Sequence, residues 1–259
     1  FRSEVYEALF DFIYHPEKLN KYAFAAWDFV GKNALVSTFE NQQSDFADLG
    51  DYLHLTHGPY SNPYELATFY DNHDMPRLNA TDDGFIDANN WLFTSRGIPV
   101  LYQGSEMGFM RGKSEHQGNR NYLGQSNIEL AKSHKIHKTL SKIANVRKEV
   151  TALQSGLQIN IELAGNKAAF YRVLVLDGVS QTALVLLNKG DLATEFLVEK
   201  YMQEGNWISQ MSDDEVTITE ENIQLTTTVA AHGVQVWLRQ GEISNQLLLE
   251  ELQRLMDNK

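Results

Sequence analysis

The stretch "FYDNHDMPR" (69–77) decides how this sequence is interpreted. It places two carboxylates, an amide, an imidazole and a guanidinium within nine positions, at the end of the apolar run "LATFY" (66–70). A short apolar run with aromatic ends is typical of a strand that is buried on both faces. In α/β sheets, ligands bind beyond the carboxyl ends of the strands, where the loops carry polar residues. We therefore predict a functional site at residues 71–74.

A second strand and several helices follow from the apolar periodicity. "GIPVLYQG" (97–104) is predicted as another buried strand, and 105–130 as a long polar loop. Helices are predicted at 3–14, 85–96 and 131–150, with short helical pieces and polar loops over 17–62. The last helix has one apolar stripe: Ile136, Leu140, Ile143, Val146 and Val150. This alternation predicts a parallel sheet with crossover helices over residues 1–150.

The pattern changes after residue 150. Short β-type runs separated by turn residues predict an antiparallel β-sandwich over 151–240. Four of its aromatic residues alternate with positions expected to face outward, so we expect them in the core: Phe170, Tyr171, Trp207 and Trp237. The remainder, 241–259, is predicted as an amphipathic helix with Ser244 as its N-cap. Its apolar side carries Leu248, Leu252 and Leu255.

The composition limits the classes of function. The chain has 259 residues, of which 42% are hydrophobic, which is enough for a buried core. A net charge of −12 argues against nucleic acid and anionic membranes as partners. Because there are no cysteines, disulfides, thiol nucleophiles and Cys-ligated zinc are excluded. No signal peptide is visible, and this leaves the location open, with a secreted or periplasmic one favoured.

Three interpretations of residues 71–74 compete. One is an Asx-rich turn, in which the side chains bond nearby backbone amides. Another is a site for two metal ions, for which a nearby segment offers further ligands: Asp48, Asp51, His54 and His57. The third is glycoside chemistry, in which carboxylates stabilise an oxocarbenium-like transition state while amides and imidazoles bind sugar hydroxyls. Four such residues in a row after a buried strand favour the third.

A second motif strengthens this interpretation. "FYDNHDMPR" is followed, about twenty residues later, by "TSRGIPVLYQGSEMG" (94–108). The pair resembles the α-amylase superfamily, glycoside hydrolase family 13, whose members carry F-x-x-N-H-D at barrel strand seven and G-[IV]-P-x-[IL]-Y-x-G-[ST]-E at strand eight. The resemblance implies an α/β plus all-β fold. This chain would be the C-terminal part of a (β/α)8 TIM barrel after strand six, followed by the antiparallel β-sandwich and the C-terminal helix.

The resemblance also implies roles for individual residues of the first motif. Asp74 matches the family's third catalytic carboxylate, which binds hydroxyls of the sugar at the cleavage point. His73 matches the histidine that hydrogen-bonds the same sugar, and Asn72 matches a supporting position in substrate binding. Arg77 is interpreted either as a brace of this loop or as a surface ion pair. Glu106 is expected to order the strand-eight loop.

A third motif, "GNRNYLGQ" (118–125), resembles a loop of the cyclodextrin-forming members. In those enzymes an arginine of this loop binds a more distant donor sugar, and the matching substrate-binding positions here are Asn119 and Arg120. An acidic residue usually precedes that arginine by four positions. This sequence has His116 instead, which puts the distant subsite in doubt.

The family mechanism is retaining and needs an aspartate nucleophile and a glutamate acid/base, with carboxyls about 5.5 Å apart. The resemblance places both upstream of Phe1, so we expect this chain to be part of a longer enzyme and to be inactive alone. An incomplete barrel leaves strand edges uncovered. We therefore expect self-association or pairing with the missing barrel portion.

The resemblance implies action on the α-1,4-glucosidic bonds of an α-glucan oligosaccharide or polysaccharide. The alternatives are a transglycosylase of the cyclodextrin glucanotransferase type and a non-catalytic glucan-binding or scaffolding relative. No cofactor and no metal ligand are predicted in this chain. The calcium ion that is common in the family is expected elsewhere in the full-length protein.

Overall fold

The structure is a computed structural model that describes residues 27–41, 43–50, 53–55, 62–176 and 178–257. Helices in this part of the chain are α1 (Phe29–Glu40), α2 (Ala47–Gly50), α3 (Asp82–Thr94), α4 (Gly124–Ser133), α5 (Lys135–Glu149), α6 (Thr151–Ser155) and α7 (Gln246–Asp257). Strands are β1 (Ala67–Thr68), β2 (Ile98–Pro99), β3 (Leu157–Ala164), β4 (Lys167–Leu176), β5 (Val179–Asn188), β6 (Thr194–Val198), β7 (Gly205–Ser209), β8 (Glu215–Ile218), β9 (Leu225–Val229) and β10 (Gly233–Gln240). The helix predicted at 3–14 lies outside the described residues.

The two strands predicted for the first part of the chain form and run parallel. Ala67 of β1 pairs with Ile98 of β2, and Thr68 pairs with Pro99. Helix α3 connects the two strands, as expected for a crossover. Trp27 adds a parallel bridge to Ala67, so a third segment runs alongside β1.

The parallel part differs from the prediction in two places. Trp27 falls in the segment 17–62, for which the sequence predicts helical pieces and loops. The bridge at Trp27 is not predicted, because a single bridging residue leaves no periodic pattern. The prediction of a buried strand at 97–104 is wrong in length and burial, because the strand spans only Ile98–Pro99 and Ile98 is 49% exposed. Among the described residues β2 pairs only with β1, which leaves one of its edges uncovered.

The helices of this part are present, with shifted ends. Helix α3 begins at Asp82, because the Thr81 Oγ1 accepts a hydrogen bond from the Gly84 N–H at 3.1 Å. The predicted helix at 131–150 is interrupted at His134, whose extended backbone separates α4 from α5. All five residues of its predicted apolar stripe are buried: Ile136, Leu140, Ile143, Val146 and Val150.

The loop predicted at 105–130 is partly wrong, since α4 begins within it at Gly124. The reason is that Ala131 is the only buried residue of α4. A helix that lies almost entirely in solvent carries no apolar stripe, and periodicity does not detect it.

The predicted antiparallel region contains a six-stranded sheet in the order β3-β4-β5-β10-β7-β8 and a two-stranded sheet of β6 and β9. The larger sheet buries both faces. On one face Phe170 of β4 packs in a core cluster with Trp91 of α3. On the other face its neighbour Tyr171 packs near Trp207 in a second cluster. The aromatic residues predicted for the core are all buried: Phe170, Tyr171, Trp207 and Trp237.

The C-terminal helix packs on the body of the protein. Its three predicted apolar residues lie in the second cluster, under the larger sheet: Leu248, Leu252 and Leu255. The predicted N-cap is wrong by one position, because the Asn245 Oδ1, not Ser244, accepts the Leu248 N–H at 2.9 Å. No helix in the described ranges is long and apolar enough to cross a lipid bilayer.

Candidate active site

The predicted site lies beyond the C-terminal end of β1, and burial divides it into an inner and an outer half. Asp71 and Asn72 are buried, with 1% and 9% of their surface exposed. His73 and Asp74 are exposed, with 59% and 58% of their side chains accessible. The four residues therefore do not form one uniform cluster, and the two halves differ in their access to solvent.

Asp71 anchors the loop from inside. Its Oδ1 accepts a hydrogen bond from the Ser105 hydroxyl at 2.8 Å, and its Oδ2 accepts one from the Leu78 N–H at 3.3 Å. Burial raises the pKa of the Asp71 carboxyl, against the lowering effect of these hydrogen bonds. Because Ser105 follows β2, this carboxylate joins the loops after the two parallel strands.

His73 and Asp74 form a pair that faces solvent. The His73 Nε2 lies 3.1 Å from the Asp74 Oδ2, and the Arg120 Nη2 donates to the Asp74 Oδ1 at 2.5 Å. Both oxygens of the carboxylate therefore have a cationic or polar neighbour. Such exposed contacts contribute little to stability and exchange readily with other hydrogen-bonding groups.

Arg77 is a buried brace, which decides between the two interpretations of this residue. Only 2% of it is exposed. Its Nε donates to the Gly118 carbonyl and its Nη1 to the Gln103 carbonyl, both at 2.9 Å. Its guanidinium carbon lies 4.3 Å from the centre of the Tyr102 ring. Arg77 therefore holds the loop after β2 and the loop that carries Arg120 against the loop after β1.

The two asparagines predicted to bind substrate do not face solvent. The Asn72 Oδ1 accepts the Asp74 N–H at 2.8 Å, as in an Asx turn. Asn119 is 0% exposed, and its Nδ2 donates to the His73 carbonyl at 2.6 Å. In this structure both side chains contact backbone groups, and their role in substrate binding stays a prediction. The sequence did not reveal this, because asparagine suits both sugar binding and backbone hydrogen bonds.

Three further residues lie near the site, of which the sequence analysis names Glu106 and His116 but not Tyr102. Glu106 lies on a short 3-10 turn, Ser105–Met107, after β2. His116 is exposed, with its Nε2 3.5 Å from a Glu115 oxygen. Tyr102 was missed, and its hydroxyl donates to the Asn119 carbonyl at 2.6 Å. Its position in "GIPVLYQG" indicated a strand rather than a site.

The metal interpretation finds no support in the part of the chain that the structure describes. Of its candidate ligands, Asp51 and His57 lie outside the described residues, whereas Asp48 and His54 lie within them. Within the described ranges no three His, Asp or Glu side chains come together as a metal site would require.

Comparison with known proteins gives relatives of one kind, although no protein-family model matches the chain. The chain is 27% identical over 194 residues to the β/α-amylase of Paenibacillus polymyxa, over 70% of this chain and 15% of that protein. It is 24% identical over 225 residues to a cyclomaltodextrin glucanotransferase of Niallia circulans, and the match covers 84% of this chain and 30% of that protein. The solved structure of an Anoxybacillus α-amylase superposes with a TM-score of 0.73 at 18% identity. The superposition covers 90% of this chain and 51% of that structure.

These similarities confirm the resemblance to enzymes of the α-amylase superfamily. The chain spans only 15% and 30% of the two curated relatives and 51% of the solved structure. It therefore corresponds to a part of such an enzyme, as the sequence predicts.

Proposed function

We propose that this chain, which in sequence and fold corresponds to part of an α-amylase-type enzyme, supplies substrate-binding and catalytic residues to a retaining glycoside hydrolase. The substrate is an α-glucan, and the bond cleaved is an α-1,4-glucosidic bond. The observation that carries the proposal is the exposed pair of His73 and Asp74, which stands beyond the end of β1 with Arg120 beside it. The relatives of this chain support the class of reaction.

In this proposal Asp74 binds hydroxyls of the sugar at the cleavage point, and His73 binds the same sugar. Their present contacts are exposed, so sugar hydroxyls can replace the donors around the carboxylate at small cost. As the glycosidic bond breaks, the sugar ring flattens and becomes positively charged. A fixed carboxylate then stabilises this charge more strongly than it stabilised the neutral ring.

The nucleophile and the acid/base are proposed to lie outside this chain, where the family resemblance puts them. The purified 259-residue chain is then expected to release no reducing sugar from soluble starch, whereas the complete enzyme should do so. Measurement of reducing ends after incubation of each protein with starch tests this. Release of reducing sugar by the chain alone would contradict the proposal that the nucleophile and the acid/base lie outside it. An inactive complete enzyme would contradict the proposal that the substrate is an α-glucan.

A transglycosylase is the second candidate, because similarity to a cyclomaltodextrin glucanotransferase extends over 84% of the chain. Chromatography of the products that the complete enzyme forms from starch separates the two. Cyclic dextrins indicate the transferase, and linear oligosaccharides indicate the hydrolase.

The proposal includes association with the missing barrel portion or with a second copy. Three large apolar side chains at or near the parallel strands are exposed, which supports this: Trp27, Phe29 and Ile98. An extracytoplasmic location of the enzyme is proposed with it, on the basis of the sequence alone.

A further inference from the structure

Asn72 and Asn119 contact the same peptide group from opposite edges. The peptide between His73 and Asp74 is planar, so its carbonyl and its N–H point in opposite directions. The N–H donates to the Asn72 Oδ1 at 2.8 Å, and the carbonyl accepts from the Asn119 Nδ2 at 2.6 Å. The Arg120 Nε is a second donor to this carbonyl, at 3.2 Å.

Asn119 is itself firmly held. It is fully buried, and its Oδ1 accepts the His116 N–H at 3.0 Å. Its own carbonyl accepts the Tyr102 hydroxyl at 2.6 Å. Since Tyr102 follows β2, the side chain that reaches the His73 carbonyl is anchored to the second parallel strand. A buried amide with several partners moves little, and it transmits its position to the peptide that it binds.

We propose that Asn72 and Asn119 are positioning residues, which set the plane of this one peptide and so the directions of the His73 and Asp74 side chains. Both Cα atoms lie in the plane, so fixing its two edges orients both side chains while they stay exposed. The substrate that His73 and Asp74 bind rests on the proposed function, whereas the positioning of these two residues by the asparagines does not. In catalysis a displacement of about 1 Å can cost roughly a hundredfold in rate, so such a constraint has a use.

The main test is Asn119→Asp in the 259-residue chain, which removes the Nδ2 donor but keeps an acceptor for His116. Asn127→Asp is a matched control, because the Asn127 Nδ2 donates to the Leu123 carbonyl at the same distance, 2.6 Å. Hydrogen exchange of the Asp74 N–H, followed by NMR, should become about tenfold faster in the first variant and stay unchanged in the control.

This readout does not report the loss of a direct contact, because the Asp74 N–H donates to Asn72 and not to Asn119. Unchanged exchange in a folded Asn119→Asp variant would overturn the proposal. So would an equal acceleration in the control, because the effect would then not be local.

Asn72→Ala gives the reciprocal test, and it also decides the matter if Asn119→Asp does not fold. Loss of the acceptor on one edge should loosen the other edge. The side-chain amide signals of Asn119 should then move toward those of a free amide. If they keep their wild-type positions, the two edges are independent and the proposal fails.

In the complete enzyme, Asn119→Asp should lower kcat on maltooligosaccharides by roughly ten- to a hundredfold, with a smaller change in KM and none in the Asn127→Asp control. An unchanged kcat would overturn the link from positioning to catalysis. A wild-type enzyme without activity on these substrates would contradict the proposed function, while the exchange results would still decide the positioning.

Discussion

Two clusters of charged residues in this protein each contain an arginine–aspartate ion pair, but they differ in burial. At the candidate site the partners are exposed, with 58% of the Asp74 side chain and 65% of the Arg120 side chain accessible. At the C-terminal end of α3 three arginines are buried, with 2%, 8% and 0% exposed: Arg96, Arg147 and Arg172.

Two of these arginines, Arg147 and Arg172, contact backbone carbonyls, whereas the Arg96 Nη1 donates to the Asp28 Oδ2 at 2.8 Å. The Arg172 Nη1 donates to the Thr94 carbonyl at 2.8 Å, and its Nη2 to the Gly156 carbonyl at 3.0 Å. The Arg147 Nη2 donates to the Gly97 carbonyl at 2.7 Å. Burial lowers the pKa of Arg172 to about 9 and that of Arg147 to about 10. No carboxylate of the described residues forms an ion pair with either.

The comparison shows that burial decides how much a charged residue contributes to the stability of the fold. The last carbonyls of a helix have no partner within the helix and carry partial negative charge. Buried guanidinium groups supply the missing donors and join α3 to β4. The exposed pair at Asp74 satisfies no buried group, so it contributes little to stability. The buried cluster should govern stability and the exposed cluster activity.

The largest expected effect is on stability, for Arg172→Met. The substitution keeps an apolar stem but removes the donors of two buried carbonyls, each worth about 1–3 kcal/mol when left unpaired. We expect a loss of roughly 2–4 kcal/mol in the free energy of unfolding, measured with urea. Arg120→Met is the matched control and should change it by less than about 0.5 kcal/mol. Equal losses in the two variants would contradict the division between the clusters.

A smaller effect is expected at a third cluster, where a histidine joins α3 to the antiparallel region. The His232 Nδ1 lies 2.8 Å from an Asp87 oxygen, and its Nε2 lies 3.0 Å from an Asp191 oxygen. The hydrogen bond to Asp87 is the main cause that raises the pKa of His232 to about 9. Burial raises the pKa of Asp87 to about 6, so both groups are charged between these values.

The direction of the pH dependence follows from the raised pKa of His232. Its stabilising contribution is complete below the unfolded pKa of about 6.5 and is lost as the pH rises through about 9. Between pH 7 and pH 10 the free energy of unfolding should therefore fall more steeply in the wild type than in His232→Gln. Urea unfolding at both pH values measures this. Parallel profiles would show that the histidine does not connect the two regions.

Sequence reasoning succeeded where the signal is local. The stripe that includes Ile136 and Ile143 predicts a buried helix face, because burial repeats with the helical period. The same reasoning missed α4, which buries only Ala131. His73 and Asp74 lie after a strand and are exposed, and their role in a site stays a prediction.

Sequence reasoning failed where the outcome depends on contacts between distant segments. Arg172 lies in an apolar run, yet nothing local indicates that its guanidinium meets the Thr94 carbonyl, 78 positions away. Likewise, nothing local indicates that the Asn119 side chain donates to the His73 carbonyl, 46 positions away. In both cases the partner is distant in sequence, so local patterns could not predict the contact.

The smallest effect on stability is expected for Asp74→Asn, and here the comparison is most sharply tested. The carboxylate is exposed and its partners are accessible, so the free energy of unfolding should change by less than about 0.5 kcal/mol. Turnover of α-glucan by the complete enzyme should nevertheless fall severely, because an amide cannot stabilise a developing positive charge as a carboxylate does. Thermal unfolding and initial rates on maltooligosaccharides measure the two quantities. A stability loss similar to that of Arg172→Met would place Asp74 with the structural charges. Unaltered turnover would refute its catalytic assignment, because the two roles predict opposite patterns for the same substitution.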